Sequence, residues 1–198
     1  MKKQEIQKIK DKVSTLLGQR LVNMERWDNY AEFGFIPANR DVEIIRDQLR
    51  TTERIEEDFV VAAFCTFRWT YQDRIILANQ DMFQPSIPIL EANGLGIRDG
   101  EDVPDFDYLE YGSNRLDEIN EQTFRPVYEQ TLGFIVKKIN VSKFGDLTID
   151  FENGYRLEVF INVSDPNNCW QFYEIGVPNN ITVGGNAIVE EDVDVTLT

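Results

Sequence analysis

The sequence predicts an α+β domain, mainly an antiparallel sheet with an N-terminal amphipathic helix and one or two further helices packed on one side. Three observations carry that prediction. The last third alternates apolar and polar residues with a period of two over residues 134–141, 147–151 and 155–161, as half-buried strands do. Residues 3–18 instead repeat apolar side chains at helical spacing. The whole chain, 198 residues with 42% hydrophobic and 28% charged, has the size of one domain whose core needs no disulfide or metal to hold it.

Along the chain, Ile6, Ile9, Val13, Leu16 and Leu17 line one face of the first helix, with Gly18 at its end. Its polar face carries Lys2, Lys3, Lys8, Lys10 and Lys12 although the protein is acidic. That face either docks on the acidic remainder or lies on a membrane, and docking is favoured. Residues 21–36 are aromatic-rich and supply one or two short strands. Residues 41–57 place Val42, Ile45 and Leu49 at helical spacing and read as a helix with weak caps. Residues 59–70 are apolar on both faces until Arg68, which predicts a single central strand. Tyr71, Gln72 and Asp73 turn the chain, and residues 74–79 return as the partner strand.

Residues 84–113 form a long loop rich in Pro, Gly and Asp, and residues 114–130 a helix capped by Ser113 and disturbed by Pro126. In the strand 134–141, Ile135, Lys137, Ile139 and Val141 share a face. The segment Glu152-Asn153-Gly154 joins the next two strands. A two-residue turn there would set Phe151 against Arg156 and Ile149 against Glu158. A three-residue loop sets Phe151 against Tyr155, Ile149 against Leu157 and Leu147 against Val159, which keeps one face apolar. The sequence therefore predicts a type I turn plus bulge with Gly154 left-handed. Residues 169–175 and 181–189 add two strands, the latter interrupted by Gly184-Gly185. The organisation is a single domain over residues 1–198, with an N-terminal helix (1–20), a long acidic loop (84–113) and a C-terminal sheet (132–190).

Composition removes several classes of function. With 20 Lys plus Arg against 35 Asp plus Glu, the net charge is -15, which repels nucleic-acid phosphates and anionic lipid. Histidine is absent, so histidine bases, histidine-containing triads and histidine-ligated metals are excluded. The two cysteines, Cys65 and Cys169, form no C-x-x-C pair and sit in apolar runs, as buried structural thiols do. The N-terminus lacks a signal-peptide core, and no run approaches the ~18 apolar residues of a membrane span. These features read as a soluble cytoplasmic protein. No phosphate loop, dinucleotide fingerprint or nucleophile elbow is present, so no cofactor is implied and nothing specifies an enzyme.

The densest carboxylate cluster is Asp99, Glu101, Asp102, Asp105 and Asp107; from Asp99 to Glu121 nine residues are acidic and one, Arg115, is basic. Its spacing departs from a calcium loop and Pro104 breaks it, so it reads as a solvated or partner-facing loop rather than a metal site. Arg68 interrupts an apolar strand and Asp81 follows the partner strand. The pair is read either as a structural ion pair or as an anion-binding arginine facing a cleft, with Asp107, Arg115 and Asp117 completing either arrangement. Trp170, Phe172 and Tyr173 read as sheet core.

Three stretches, residues 64–86, 105–118 and 144–164 with 169–173, resemble an uncharacterised family of small, mostly bacterial proteins. Its pattern is a strand with Cys and Arg, an Asp, a long loop, a G-D-L…N-G…L-E-V-F hairpin and a tryptophan. Arg68, Asp81, Asp117, Gly145, Asp146, Gly154 and Trp170 match that pattern, and the resemblance covers about two-thirds of the chain, from near Phe59 onward. The chain departs from it at Ala62, where a histidine is expected, and at Gln171, where an arginine is expected. The resemblance implies no established activity and transfers no catalytic residues. The hairpin also resembles modules of bacterial toxin-immunity proteins.

Two functional readings follow. One is a non-enzymatic, immunity-like module that presents an acidic surface to a basic protein. The other is an anionic-ligand binder or enzyme using Arg68 with Asp81, Asp107 or Asp117, in which Asp, Glu, Tyr or Lys would have to move the proton. A homo-oligomer assembled through a sheet edge stays open.

Overall fold

The computed structural model describes residues 1–41, 44–46, 53–96, 103–128, 133–164, 168–178 and 180–191. The elements are α1 (Lys3–Val13), β1 (Gln19–Trp27), β2 (Tyr30–Pro37), β3 (Ile44–Arg46), β4 (Glu53–Ile55), β5 (Phe59–Ala63), β6 (Thr66–Tyr71), β7 (Arg74–Ala78), α2 (Ile87–Ala92), α3 (Arg115–Ile119), α4 (Arg125–Tyr128), β8 (Phe134–Val141), β9 (Leu147–Phe151), β10 (Tyr155–Phe160), β11 (Trp170–Glu174), β12 (Asn180–Val183) and β13 (Ile188–Glu191). Among the described residues, 11 strands form one antiparallel sheet in the order β13-β12-β11-β5-β2-β1-β8-β9-β10-β6-β7. The predicted α+β class is what the molecule shows.

The sheet curls so that its two halves face each other. They join where β1 meets β8, through Arg20–Ile135 and Leu21–Phe134. Phe33 of β2 then packs edge-on against Phe67 and Trp69 of β6, with ring centroids 5.4 and 5.8 Å apart. Strands so distant in the sheet order touch only because the apolar faces of both halves turn inward. α1 closes this core by its apolar stripe, burying Ile9 and Val13, while Lys3, Lys8 and Lys10 stay exposed. Among the described residues no helix is long and apolar enough to cross a membrane.

Several local expectations hold. β9 and β10 pair through Ile149–Leu157 and Leu147–Val159, and Gly154 has a φ of 89°, the left-handed geometry that the three-residue loop requires. Gln72 and Asp73, both at positive φ, make the tight turn between β6 and β7.

Others are corrected. The helix predicted over residues 41–57 is absent where the chain is described: β3 and β4 pair there as antiparallel strands. β-Branched Ile44, Ile45 and Ile55 favour a pleated backbone over the weakly capped helix. The single strand predicted over 59–70 is two strands, with the chain passing from one half of the sheet to the other at Phe64-Cys65. β5 is apolar on both faces, Val60 is buried together with Val22 and Ile36, and Glu57 comes up close against Gly34 of β2. Gly34 permits that close approach, since a Cβ on it would stand 3.1 Å from the Glu57 Cβ. The strand predicted at 181–189 is the hairpin β12–β13, turning at Gly184, whose N–H donates to the Ala187 carbonyl at 3.0 Å. The predicted face of β8 changes partway: a bulge between Val136 and Lys138 lets Phe134, Val136, Ile139 and Val141 all pack on the core. The long loop contains α2. The helical segment after it is capped by Asn114 rather than Ser113, and a π turn at Asn120–Phe124 precedes Pro126.

The buried hydroxyls make stability sensitive to alkali. Burial raises the Tyr128 pKa well above its ordinary 10.0. Burial first, and then Glu32, which accepts the Tyr173 hydroxyl proton at 2.8 Å, raise that of Tyr173. Burial likewise raises Cys65 above its ordinary 9.0. Each group holds its proton more tightly folded than unfolded, so its contribution is complete below the unfolded pKa and disappears as pH rises past it. The melting temperature should therefore begin to fall near pH 9 and fall steeply above pH 10. Thermal melts followed by circular dichroism check this, and a melting temperature unchanged above pH 10 would contradict it.

Candidate functional site

The segment from Val103 to Glu118 folds around one carboxylate. Asp117 Oδ2 accepts the Gly112 N–H at 3.0 Å and the Asn114 side-chain amide at 2.7 Å, and Arg26 Nη2 stands 3.6 Å away. The two charged side chains are each only 6% exposed. Arg26 Nη2 also donates to the Leu109 carbonyl at 2.9 Å, which ties the loop to the end of β1. Asn114 works in both directions: its Oδ1 accepts the Asp117 N–H at 2.9 Å, capping α3, and its Nδ2 donates to the Tyr108 carbonyl at 2.9 Å.

The loop's own turns are satisfied in the same way. Asp107 Oδ1 accepts the Leu109 N–H at 2.9 Å, and the Ser113 hydroxyl lies 2.6 Å from both the Asp107 and Glu110 carbonyls. The base is anchored by backbone bonds from Ser86 N–H to the Ser113 carbonyl and from Arg115 N–H to the Gln84 carbonyl, each 2.8 Å. Glu118, also buried, accepts the Ile87 N–H at 3.0 Å and Arg115 Nη1 at 2.8 Å. With the polar groups turned inward, two large apolar side chains face solvent: Leu109 is 48% and Tyr111 56% exposed. Asp105, Asp107 and Glu110 are exposed around them, and the Tyr111 hydroxyl donates to Glu121.

Of the sequence-predicted residues, Asp107, Arg115 and Asp117 come together here, Asp117 as a buried anchor and Arg115 as the partner of Glu118. Asp105 occupies a left-handed turn position with φ 55°. Asp99, Glu101 and Asp102 lie outside the described residues. Arg68 and Asp81 are not paired with each other. Asp81 Oδ2 accepts the Ala78 N–H at 2.8 Å, capping the short turn Asn79–Phe83. Arg68 stands on the outer face of β6, opposite Glu158 of β10; its Nε donates to Glu158 Oε2 at 2.7 Å, and its guanidinium lies 5.0 Å from the Phe160 ring centre. On the same face Arg156 Nε meets Asp150 Oδ1 at 2.5 Å, giving a ladder of paired charges.

Sequence reasoning missed Arg26, Asn114 and Glu158. The capping pattern Asn114-x-x-Asp117 was a readable signal for Asn114, whereas Arg26 and Glu158 find their partners only through strand pairing and the curl of the sheet. No protein-family model, curated protein or solved structure matches the chain.

Proposed function

We propose that this protein is a non-enzymatic binding module and that the loop from Val103 to Ser113 is its contact surface for a protein with a basic face. The single observation that carries this reading is the combination of an interior fixed by Asp117, Asn114 and Arg26 with a tip exposing Leu109 and Tyr111 among carboxylates. An apolar anchor on a preorganised loop binds without a large ordering cost, and a ring of like charges selects a cationic partner and speeds encounter. The net charge of -15 acts in the same direction. The likeness of the hairpin to toxin-immunity modules makes a cationic toxin the sharpest form of that partner. Arg68 gives the anionic-ligand reading less to stand on, because Glu158 and Phe160 already occupy its guanidinium.

The test replaces both tip residues, Leu109→Ala and Tyr111→Ala, which are exposed and lie outside the core, with circular dichroism confirming that the double variant keeps the wild-type fold. Affinity for a partner captured with the wild-type chain and then purified should drop at least ~10-fold, as expected for central anchor residues. Equal affinity of the double variant would remove the loop as the contact surface.

A further inference from the structure

Cys65 and Cys169 are distant in sequence, yet the fold places them side by side where the chain crosses between the two halves of the sheet. β11 pairs with β5 through Trp170–Ala63, and one step further the Phe64 N–H donates to the Cys169 carbonyl at 2.9 Å. Cys65 is thus the sequence neighbour of the residue bonded to Cys169. The Cys169 N–H is held in turn by the Val183 carbonyl at 2.9 Å, so its backbone is fixed on both sides. Phe64 faces solvent, whereas both thiols belong to the core between the halves, Cys65 7% and Cys169 1% exposed. Burial first, and then the Cys169 thiol, raise the Cys65 pKa, in keeping with that placement. A disulfide needs Cα atoms about 4.4–6.8 Å apart. A residue next to a paired position lies within that Cα separation, because cross-strand Cα atoms are about 5 Å apart and the next residue about 3.4 Å along; the chain leaves β5 at this point to cross between the halves, and both thiols are core residues.

We propose that Cys65 and Cys169 are a disulfide site, closed by exchange with a small-molecule disulfide. In that exchange the two thiols give up two protons and two electrons, one S–S bond forms between Cys65 and Cys169, and the S–S bond of the oxidant breaks to give two thiols. The bridge joins the β5–β6 crossover to the start of β11 and closes the loop of residues 66–168, restricting the unfolded chain. Oxidation of the folded protein is slow, because both thiols are buried and each needs to become a thiolate before it attacks.

The reduced chain, unfolded and then refolded in a glutathione redox buffer so that access is not limiting, tests this. Acid quenching, alkylation and intact mass are read together with peptide mapping. The expected product lacks the mass of two hydrogens, takes up no alkylating reagent and yields a linked peptide pair containing Cys65 and Cys169. It should also melt several degrees above the same protein after reduction, an increase lost in Cys65→Ser. Refolded protein that keeps two alkylatable thiols, or carries glutathione on either one, would overturn the proposal. So would an oxidised form that melts at or below the reduced one. Should refolding fail, prolonged incubation of the chain with oxidised glutathione in mild denaturant, which opens access to both thiols, is read by the same mass change and linked peptide pair, and their absence would likewise overturn the proposal.

Discussion

Truncating Trp69 to alanine is expected to destabilise the protein by about 3–5 kcal/mol, the range for removing a large buried aromatic. Trp69 is fully buried and joins three parts of the molecule. Its ring stacks on Phe151 of β9 at 5.2 Å and meets Phe134 of β8 at 5.9 Å. It also meets Phe33 from the opposite half at 5.8 Å and Phe124 from the helical segment at 5.0 Å. An alanine leaves a cavity that these four rings cannot all collapse into at once. The indole N–H has no hydrogen-bond partner among the described residues, and an unpaired buried donor costs about 1–3 kcal/mol. Trp69→Phe removes that group while keeping most of the ring, so it should cost far less than the alanine change. Urea unfolding of the two variants checks the pair, and equal losses would contradict the packing account.

Asp117→Ala is the second large effect, expected at about 3–5 kcal/mol, because it strips the countercharge from a buried guanidinium. Arg26 would remain enclosed, and the Gly112 N–H and Asn114 amide would lose their acceptor. Asp117→Asn keeps the size and one acceptor oxygen and should recover part of the loss. Replacing both charges, Arg26→Met with Asp117→Leu, should cost less than Asp117→Ala alone, since no buried charge is then stranded. Denaturant unfolding gives the stabilities, and hydrogen exchange at Gly112 reports whether the loop itself loosens. A loss under ~1 kcal/mol for the alanine variant, within the range of ordinary surface substitutions, would show that the carboxylate does not organise the loop.

How much of this was legible in the sequence depended on whether the cause was local. The β9–β10 register followed from keeping Leu147, Ile149 and Phe151 on one face with Leu157 and Val159, because a shift of one residue would expose them all. The helix expected at 41–57 failed where helical spacing competed with a run of β-branched residues. Residues 59–70 looked like one strand because apolarity on both faces does not reveal where a chain changes sheet. Asp107, Arg115 and Asp117 were legible as neighbours in sequence. Their anchor Arg26 and the tip formed by Leu109 and Tyr111 were not, since burial of one and exposure of the others arise only when β1 meets the loop. The pairing of Arg68 with Glu158 rather than Asp81 was hidden for the same reason: β10, not β7, presents the carboxylate.

The most direct test of the binding role is the dissociation constant of the purified partner complex measured as a function of salt. Screening between ~0.05 and ~1 M salt shortens the range of charge interactions from above 10 Å to about 3 Å. An acidic surface meeting a basic one should therefore lose at least ~10-fold in affinity across that range, mostly through slower association. A dissociation constant that does not move with salt would contradict an electrostatic contact and, with it, the role assigned to the Val103–Ser113 loop.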